Sequence, residues 1–248
     1  MKKAQYLSFT LITLLVFIFT SCSGEEDLKI AEPTKKIYLP SEITYTDDKN
    51  EIITVKFTYD SLNRLESFVG RSPENYVVLS SGLYSYNEKG RVNKYFGYTT
   101  TTHIYYDENG KIKEFTYEGL SDVIKYNYNQ TANSYKSTNI DHSIYLDQND
   151  DLIRRNIAGN IADIEYTSIK GVFADLEKQP YFNFLTTNMD ITQNMSTKAI
   201  KSITYTTSKI IYEYVLNELG YPVEVTLSNQ DGEFFRQYNY TYTEITVN

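Results

Sequence analysis

Alternating apolar and polar residues predict β-strands along most of the chain. In residues 53–59, Ile, Val, Phe and Tyr fall on one face, and two threonines and a lysine fall on the other. The same alternation recurs in residues 123–128, 210–216 and 238–242. A period of two is typical of a strand with one buried face, and these residue types suit a pleated, half-buried surface. The chain is therefore predicted to be all-β.

A turn motif repeats between these stretches. Its best copies are Tyr59–Leu65, Tyr86–Val92 and Tyr106–Ile112, and weaker copies begin at Tyr128, Leu146, Leu216 and Ser228. In the best copies Asp or Asn follows the tyrosine, and Gly or Asn stands four residues after it. The Asp or Asn opens a turn because its side chain hydrogen-bonds the nearby backbone. The Gly or Asn tolerates the positive φ that the last residue of the turn requires. We therefore expect an antiparallel meander of Tyr-rich hairpins that forms a strongly curved sheet or barrel.

One insert, at about residues 171–198, breaks the alternation. It contains Pro180 and four aromatic residues, which are Phe173, Tyr181, Phe182 and Phe184. We predict an irregular loop with one or two helical turns, whose aromatic side chains plug an open end or concave face of the sheet. The alternative is a lid that gates a ligand, since long loops are often functional.

The first residues are predicted to direct export. Lysines at positions 2 and 3 precede an uncharged stretch at 7–19, as in a secretory signal with its roughly 7–15 apolar residues. That stretch is short for a spanning helix, which needs about 20 residues, although an uncleaved membrane anchor is the alternative. We predict a signal peptide at 1–21, a lipidated acidic tether at 22–40 and a single β-repeat domain at 41–248.

Cys22, the only cysteine, ends a Phe-Thr-Ser-Cys sequence that resembles the bacterial lipobox. The resemblance implies cleavage before Cys22 and its acylation, whereas the alternative is a free or intermolecularly paired thiol. The acidic residues 25–27 resemble the surface-export signal of Bacteroidota lipoproteins, although such a patch can simply keep a tether solvated. We predict an outer-membrane location with a lipid anchor at Cys22, facing the cell exterior. The net charge of −8 argues against nucleic acid as a partner, because that binding needs basic side chains.

The Tyr-Asp-x-x-Gly-Arg hairpins resemble the YD repeats of Rhs-type proteins. Together with Cys22, the aromatic insert, residues 196–205 and the Gly220–Val223 segment, they resemble more closely a Bacteroidota lipoprotein domain of unknown function with a porin-like fold. That resemblance implies a fold and a location, and no activity. Because one strand face carries polar residues, as in Lys111–Glu114, we expect a soluble curved sheet or barrel rather than a membrane-spanning one.

Residues typical of catalysis or metal binding are few. His103 and His142 lack a metal-site spacing, so we assign them structural roles. Asp147, Asn149 and Asp151 match the start of a calcium loop, but Leu152 and Ala158 replace its glycine and glutamate, so we interpret the segment as a hairpin tip. No phosphate loop, dinucleotide fingerprint or nucleophile elbow occurs, and we expect no cofactor.

The 25 tyrosines, in a chain without tryptophan, suggest carbohydrate stacking. The alternative is that tyrosine is simply the strand residue of the repeat, half-buried with its hydroxyl reaching water, as we expect for Tyr59, Tyr86, Tyr106 and Tyr128. Tyr95, Tyr105 and Tyr117 lie an odd number of residues from the tyrosines of the motif, which predicts the opposite face of the strand. They are candidates for an exposed ligand platform.

Three functions remain open. A non-catalytic binding module for a glycan, peptide or host macromolecule predicts an aromatic patch. A structural or accessory subunit of an outer-membrane complex predicts a flat apolar patch. A glycoside hydrolase, the least favoured, predicts two carboxylates that face each other in a cleft.

Overall fold

The computed structural model describes residues 35–46, 51–72, 78–97, 99–184 and 195–247. Within these ranges the chain forms sixteen β-strands and one 3₁₀ helix at Pro180–Phe184. The strands are β1 (Lys35–Thr46), β2 (Ile52–Tyr59), β3 (Leu65–Arg71), β4 (Val78–Tyr86), β5 (Val92–Gly97), β6 (Thr101–Tyr106), β7 (Ile112–Tyr117), β8 (Val123–Asn129), β9 (Ser134–Ser137), β10 (His142–Leu146), β11 (Leu152–Ile157), β12 (Asn160–Lys170), β13 (Lys198–Tyr205), β14 (Lys209–Leu216), β15 (Pro222–Asn229) and β16 (Phe234–Val247).

The strands form one closed barrel. Each strand pairs with its neighbours in sequence, and β1 lies beside β16. The all-β meander and the barrel are therefore confirmed. One compact unit runs from Lys36 to Ile245, and the other, 1–35 with 246–248, lies almost entirely outside the described residues. β1 begins at Lys35, before the predicted domain start at residue 41, because the apolar side chains of Ile37 and Leu39 are already buried.

The two ends of the barrel differ in their connections. In an antiparallel meander, alternate connections lie at the same end. The connections β2–β3, β4–β5, β6–β7, β8–β9, β10–β11, β12–β13 and β14–β15 form one end, which we call the plug end. β1–β2, β3–β4 and the remaining connections form the other, which we call the rim end. All predicted hairpin tips are turns, and all lie at the plug end except the Ser228 copy, which joins β15 to β16 at the rim end.

The turns have the predicted chemistry. At the β2–β3 tip the Asp60 Oδ1 accepts hydrogen bonds from the backbone N–H groups of Leu62 and Arg64, both at 2.9 Å. Asn63 takes a φ of 61°, and Gly90 takes 73° in the equivalent place of the β4–β5 tip. These residues tolerate the left-handed conformation that the exit of the turn requires.

A β-bulge follows the turn in each of these hairpins. Tyr59 pairs with Leu65 while Thr58 pairs with Ser67, so that one extra residue enters β3. The same shift occurs at the start of β5, β7, β11 and β15. A bulge moves the inward-facing positions by one residue. The residue directly after the turn therefore points inward, and so does the residue three positions later, as in Leu65 and Phe68.

Tyrosine hydroxyl groups join neighbouring strands where the ladder ends. In β3–β4 the paired positions stop at Ser67 and Leu83, and beyond them the Tyr86 hydroxyl donates to the Leu65 carbonyl at 2.6 Å. Five more strand pairs repeat this contact, through Tyr59 to Pro40, Tyr106 to Val92, Tyr166 to Leu152, Tyr214 to Ile200 and Tyr242 to Pro222. Burial raises the pKa of Tyr59, Tyr86 and Tyr106 well above its ordinary value. These three tyrosines are half-buried, as expected, and each hydroxyl bonds a carbonyl of the neighbouring strand.

The basic residue of the motif contacts the tyrosine of the next copy. The Arg64 guanidinium lies 4.0 Å from the ring centre of Tyr86, and the Lys111 ammonium lies 4.3 Å from that of Tyr128. The Arg91 guanidinium lies so close beneath Gly110 that a β-carbon there would collide with it. The glycine thus provides both a positive φ and room for the arginine of the preceding copy. Successive hairpins therefore pack side by side through these contacts.

The insert between β12 and β13 packs inside the barrel. Phe173, Tyr181, Phe182 and Phe184 are all buried. Phe173 contacts Phe57 with ring centres 5.3 Å apart, and Phe184 meets Phe115 at 5.1 Å. The predicted aromatic plug and its short helical turn are confirmed over the described part of the insert, while residues 185–194 lie outside the described ranges.

Polar contacts tie the plug to the hairpin tips. Asp151 is fully buried and forms an ion pair with Lys178, and it also accepts hydrogen bonds from the backbone N–H (3.0 Å) and hydroxyl (2.6 Å) of Thr197. The Gln179 amide reaches the opposite wall, where it donates to the Gly90 carbonyl and accepts from the Val92 N–H, both at 3.2 Å. Because buried polar groups need such partners, these contacts set the position of the plug.

The outer face of the wall carries charged side chains in mid-strand. Lys56, Lys125 and Glu213 are exposed there, and Arg154 pairs with Asp163 across β11 and β12. A membrane-spanning barrel instead presents an apolar outer band. This face fits water as its surroundings.

We predict that Tyr106→Phe lowers the free energy of unfolding by about 1–2 kcal/mol, because the Val92 carbonyl loses its buried donor. The neighbouring Tyr105→Phe is the control, since Tyr105 is 48% exposed on the outer face, and it should change stability by less than about 0.5 kcal/mol. Equilibrium denaturation in urea measures both, and equal losses would show that the hydroxyl contact is unimportant.

We predict that Asp151→Asn destabilises the protein by about 3 kcal/mol, because it leaves the Lys178 ammonium against a neutral partner in a buried site. Asp163→Asn removes an exposed ion pair with Arg154 and should cost less than about 1 kcal/mol. Thermal and urea unfolding of the two variants provide the comparison. Similar losses in both would contradict a buried anchor for the plug.

Candidate binding site at the rim end

The inner face changes character along the barrel. Near the plug end it is apolar and buried, with Leu39, Leu65, Val92 and Ile144 all fully enclosed. Toward the rim end several inner-face residues are half-buried and aromatic or polar, beside buried ones such as Ile53, Thr102 and Ala162. The half-buried residues are Tyr45, Tyr95, Tyr117, His142 and Tyr205. Solvent therefore reaches parts of the inner wall at the rim end, which is where a ligand can approach it.

A cleft of about 460 Å³ opens in the rim where β1, β2 and β16 meet. We call it the rim cleft. It is lined by Thr44, Tyr45, Thr46, Ile52, Phe234, Phe235, Arg236, Gln237 and Asn239. The position follows from the topology, because these residues end β1, begin β2 and begin β16.

The apolar side chains of the rim cleft are unusually exposed. Phe234 is 61% exposed, Phe235 44% and Ile52 54%. A bulge explains why two successive phenylalanines both stay outside: Ser228 pairs with Phe234 while Leu227 pairs with Arg236, so Phe235 is the extra residue. Bulges at sheet rims often redirect side chains in this way.

Polar groups border this aromatic surface. The Arg236 guanidinium lies 5.5 Å from the ring centre of Tyr45, and its Nη1 donates to the Tyr238 hydroxyl at 3.3 Å. The amides of Gln237 and Asn239 stand on the outer side. Exposed rings and two amides on the outer side, with a guanidinium on the inner side of the same cleft, suit a ligand with one apolar face and several hydrogen-bonding groups.

Of the three tyrosine candidates, only Tyr105 is an exposed ring on the outer face. Tyr95 pairs with the buried Tyr84, and Tyr117 pairs with the buried Thr102, so both face inward and are half-buried. The expectation that Tyr95 and Tyr117 form an exposed platform is wrong, because the bulges after Val92 and Ile112 shift the parity. Ligand binding by any of the three stays a prediction.

The two histidines lie on opposite faces of the wall. His103 is opposite Lys94 and Thr116 on the outer face, whereas the His142 Nδ1 lies 2.6 Å from the Tyr126 hydroxyl inside. Burial, assisted by the charge of Arg155, lowers the pKa of His142 below its ordinary value.

The Asp147–Asp151 segment is a hairpin tip, as interpreted from the sequence. The Asp147 Oδ1 accepts hydrogen bonds from the backbone N–H groups of Asn149 and Asp151, and the Lys178 ammonium contacts the Asn149 carbonyl and the Asp151 carboxylate. Among the described residues, no group of three or more His, Cys, Asp or Glu side chains is arranged so that it could hold a metal ion.

Cys22, with its predicted signal peptide and tether, lies outside the described residues, and its lipidation stays a prediction. In the described ranges, no helix combines the length and apolarity needed to span a bilayer. The rim cleft joins residues that are far apart in the sequence, and the Phe-Phe pair that follows the turn at Asn229–Glu233 is its one visible signal there.

No protein-family model and no curated protein matches this chain. Among solved structures, a porin-like protein from Bacteroides uniformis ATCC 8492 is similar, with 10% identity and a TM-score of 0.48 over 82% of this chain and 96% of that one. A porin-like protein from Bacteroides vulgatus ATCC 8482 is similar with 12% identity and a TM-score of 0.42, over 84% and 99%. At these identities and TM-scores, the likeness assigns neither a family nor a function.

Proposed function

We propose that this protein is a lipid-anchored lipoprotein of the outer cell surface that acts as a non-catalytic binding module for a glycan, peptide or host macromolecule. The observation that carries the proposal is the rim cleft, where exposed phenylalanine rings stand beside Arg236 and two amides. Exposed aromatic surface of this kind costs solubility and is typical of a binding site.

The arrangement of the two ends supports this proposal. The plug end is filled by the aromatic insert, whereas the rim cleft lies at the opposite end of the barrel, where a ligand can reach it. The charged outer wall supports a barrel that stands in water on its tether.

The distribution of carboxylates favours binding over hydrolysis. No carboxylate lines the rim cleft. In a second cleft, between β7 and β8, Asp107 is the only carboxylate among the lining residues. A glycosidase needs two carboxyl groups about 5 to 9.5 Å apart. These two clefts do not provide such a pair.

A second candidate function is supported by one further observation. Exposed apolar residues mark most connections of the rim end: Ile52, Leu79, Leu120, Ile140, Ile157 and Phe234. An apolar rim of this kind also suits an accessory subunit that docks on an outer-membrane complex. Recovery of the protein as a lone monomer from gently solubilised membranes would count against this alternative.

We predict that Cys22→Ala abolishes incorporation of labelled palmitate and releases the protein from the membrane fraction, because the acyl chains supply the anchor. Fractionation of cells and surface proteolysis of the wild type measure anchoring and exposure separately. Palmitate labelling that persists in the variant would refute lipidation at Cys22. Protection of the wild type from added protease in intact cells would refute surface display.

We predict that Phe234→Ala with Phe235→Ala weakens ligand binding about tenfold or more, because each ring contributes stacking area at the rim cleft. Detergent-solubilised full-length protein is screened on glycan and peptide arrays, and the hits are measured by calorimetry. Leu62→Ala with Leu219→Ala removes exposed apolar side chains at the plug end and is the matched control. A ligand bound equally by both double variants would place recognition elsewhere, and arrays without any hit would contradict a binding module.

A further inference from the structure

The wall opens between β7 and β8. Paired positions end at Glu114 and Lys125, as they do near the plug end of other strand pairs. Here the tyrosine of the motif does not bridge the gap, because the Tyr128 hydroxyl donates to the Asn133 side chain at 2.7 Å. A cleft of about 730 Å³ occupies the gap.

A second cleft adjoins the first. It has a volume of about 790 Å³, lies over β8 and β9, and reaches Tyr145 on β10. Both clefts are lined by Asn127, Tyr128 and Gln130, so they adjoin at β8. We call the two together the β8 groove, and its lining, which comes from β7, β8, β9 and β10, offers contacts for several linked units.

The β8 groove is cationic in an acidic protein. The charged residues that line it are Lys111, Lys113 and Lys136 against a single carboxylate, Asp107, whereas the whole chain carries a net charge of −8. In the described part of the chain, the ion pairs within 4.0 Å do not include Lys113, Lys136 or the nearby Lys125. These three ammonium groups are exposed and available to an anion.

Neutral hydrogen-bonding groups surround these lysines. The side-chain amides of Asn109, Asn127, Asn129 and Gln130 face the groove, together with the exposed ring of Tyr145, whereas the ring of Tyr128 is already covered by the Lys111 ammonium. Amides can bind adjacent hydroxyl groups with both donor and acceptor, and an aromatic ring can cover the apolar face of a sugar. The amides, the Tyr145 ring and the lysines together match an oligosaccharide that carries carboxylate or sulfate groups.

We infer that the β8 groove is a second binding site, specific for an anionic oligosaccharide. An anionic lipid surface fits less well, because a flat surface would also meet the acidic hairpin tips at Glu108, Asp147 and Asp150, whereas a single glycan chain needs to contact only the groove. The site is separate from the rim cleft, because β1, β2 and β16 lie across the barrel from β7 to β10.

The test measures binding of uronate- and sulfate-bearing tetrasaccharides to full-length, detergent-solubilised protein by calorimetry. Each anionic glycan is paired with its neutral counterpart, such as tetragalacturonate with its methyl ester. We expect at least one anionic member to bind, its neutral counterpart to bind more weakly, and affinity to fall as ionic strength rises from about 0.05 to about 0.5 M. If no anionic member binds better than its neutral counterpart, the inference is overturned.

Variants locate the site. Lys113→Gln with Lys136→Gln should lower affinity about fivefold or more, since two exposed charge contacts are lost, and Asn127→Ala should lower it without changing the salt dependence. Lys89→Gln, at an exposed hairpin tip, is the control and should leave binding unchanged. All four positions are exposed, so the fold is expected to persist. Equal affinity in the double variant and the control would overturn the assignment.

Two more measurements distinguish the β8 groove from a lipid-binding surface and from the rim cleft. Vesicles containing phosphatidylglycerol test a lipid surface, and lysine-dependent binding to vesicles without binding to any glycan would overturn the inference. The Phe234→Ala, Phe235→Ala protein should bind the anionic glycan normally. Loss of binding in that variant would place the glycan in the rim cleft and overturn a separate β8 groove.

Discussion

The hydrogen bond from a tyrosine hydroxyl to the carbonyl of the neighbouring strand is the contact on which this barrel depends. Near the plug end the backbone ladder between the strand pairs that it joins ends early, in four of them beside the bulge at the start of β3, β5, β11 or β15. A buried carbonyl left without a donor costs about 1–3 kcal/mol. Six strand pairs meet that need in the same way, as Tyr86 does for Leu65. Closure of a barrel requires neighbouring strands to hold together along their length. The tyrosine therefore completes the wall where the backbone cannot.

That contact also explains the rest of the motif. A basic residue such as Arg64 covers the ring of the next tyrosine, and the glycine of the next turn leaves room for it, as at Gly110 over Arg91. Each copy is thus bound to its neighbour through three different groups. The plug can then pack against a wall whose inner side chains are fixed, which is why Lys178 and Gln179 of the insert find partners on hairpin tips far away in sequence, at Asp151 and Gly90.

The sequence allowed the strands, the turns, the barrel and the aromatic plug to be predicted, because each follows from local periodicity or turn chemistry. It did not allow the bulges to be predicted, because assigning alternate residues to alternate faces assumes a strand without extra residues. That single omission placed Tyr95 and Tyr117 on the wrong face and hid the paired exposure of Phe234 and Phe235. The destination of each hydroxyl was equally invisible, because it depends on where the ladder of the neighbouring strand ends. The rim cleft could not be predicted either, because its residues come from β1 and β16, which are far apart in the sequence.

The β8 groove shows how a wall built on one repeated contact can hold a site without losing its hydrogen bonds. Tyr128 gives up the bridging position, but its hydroxyl is satisfied by Asn133, whose amide in turn donates to the Asp147 carbonyl at 2.7 Å. Tyr135, one strand further along and buried, hydrogen-bonds with the backbone of Ile112. Two neighbours thus replace the missing bridge, and the opened gap is lined by the amides and lysines that the repeat places on the outer face. A closed plug end and a repeated wall therefore leave two regions for recognition: the rim, where the bulge exposes aromatic rings, and the strand pair where the repeat is altered.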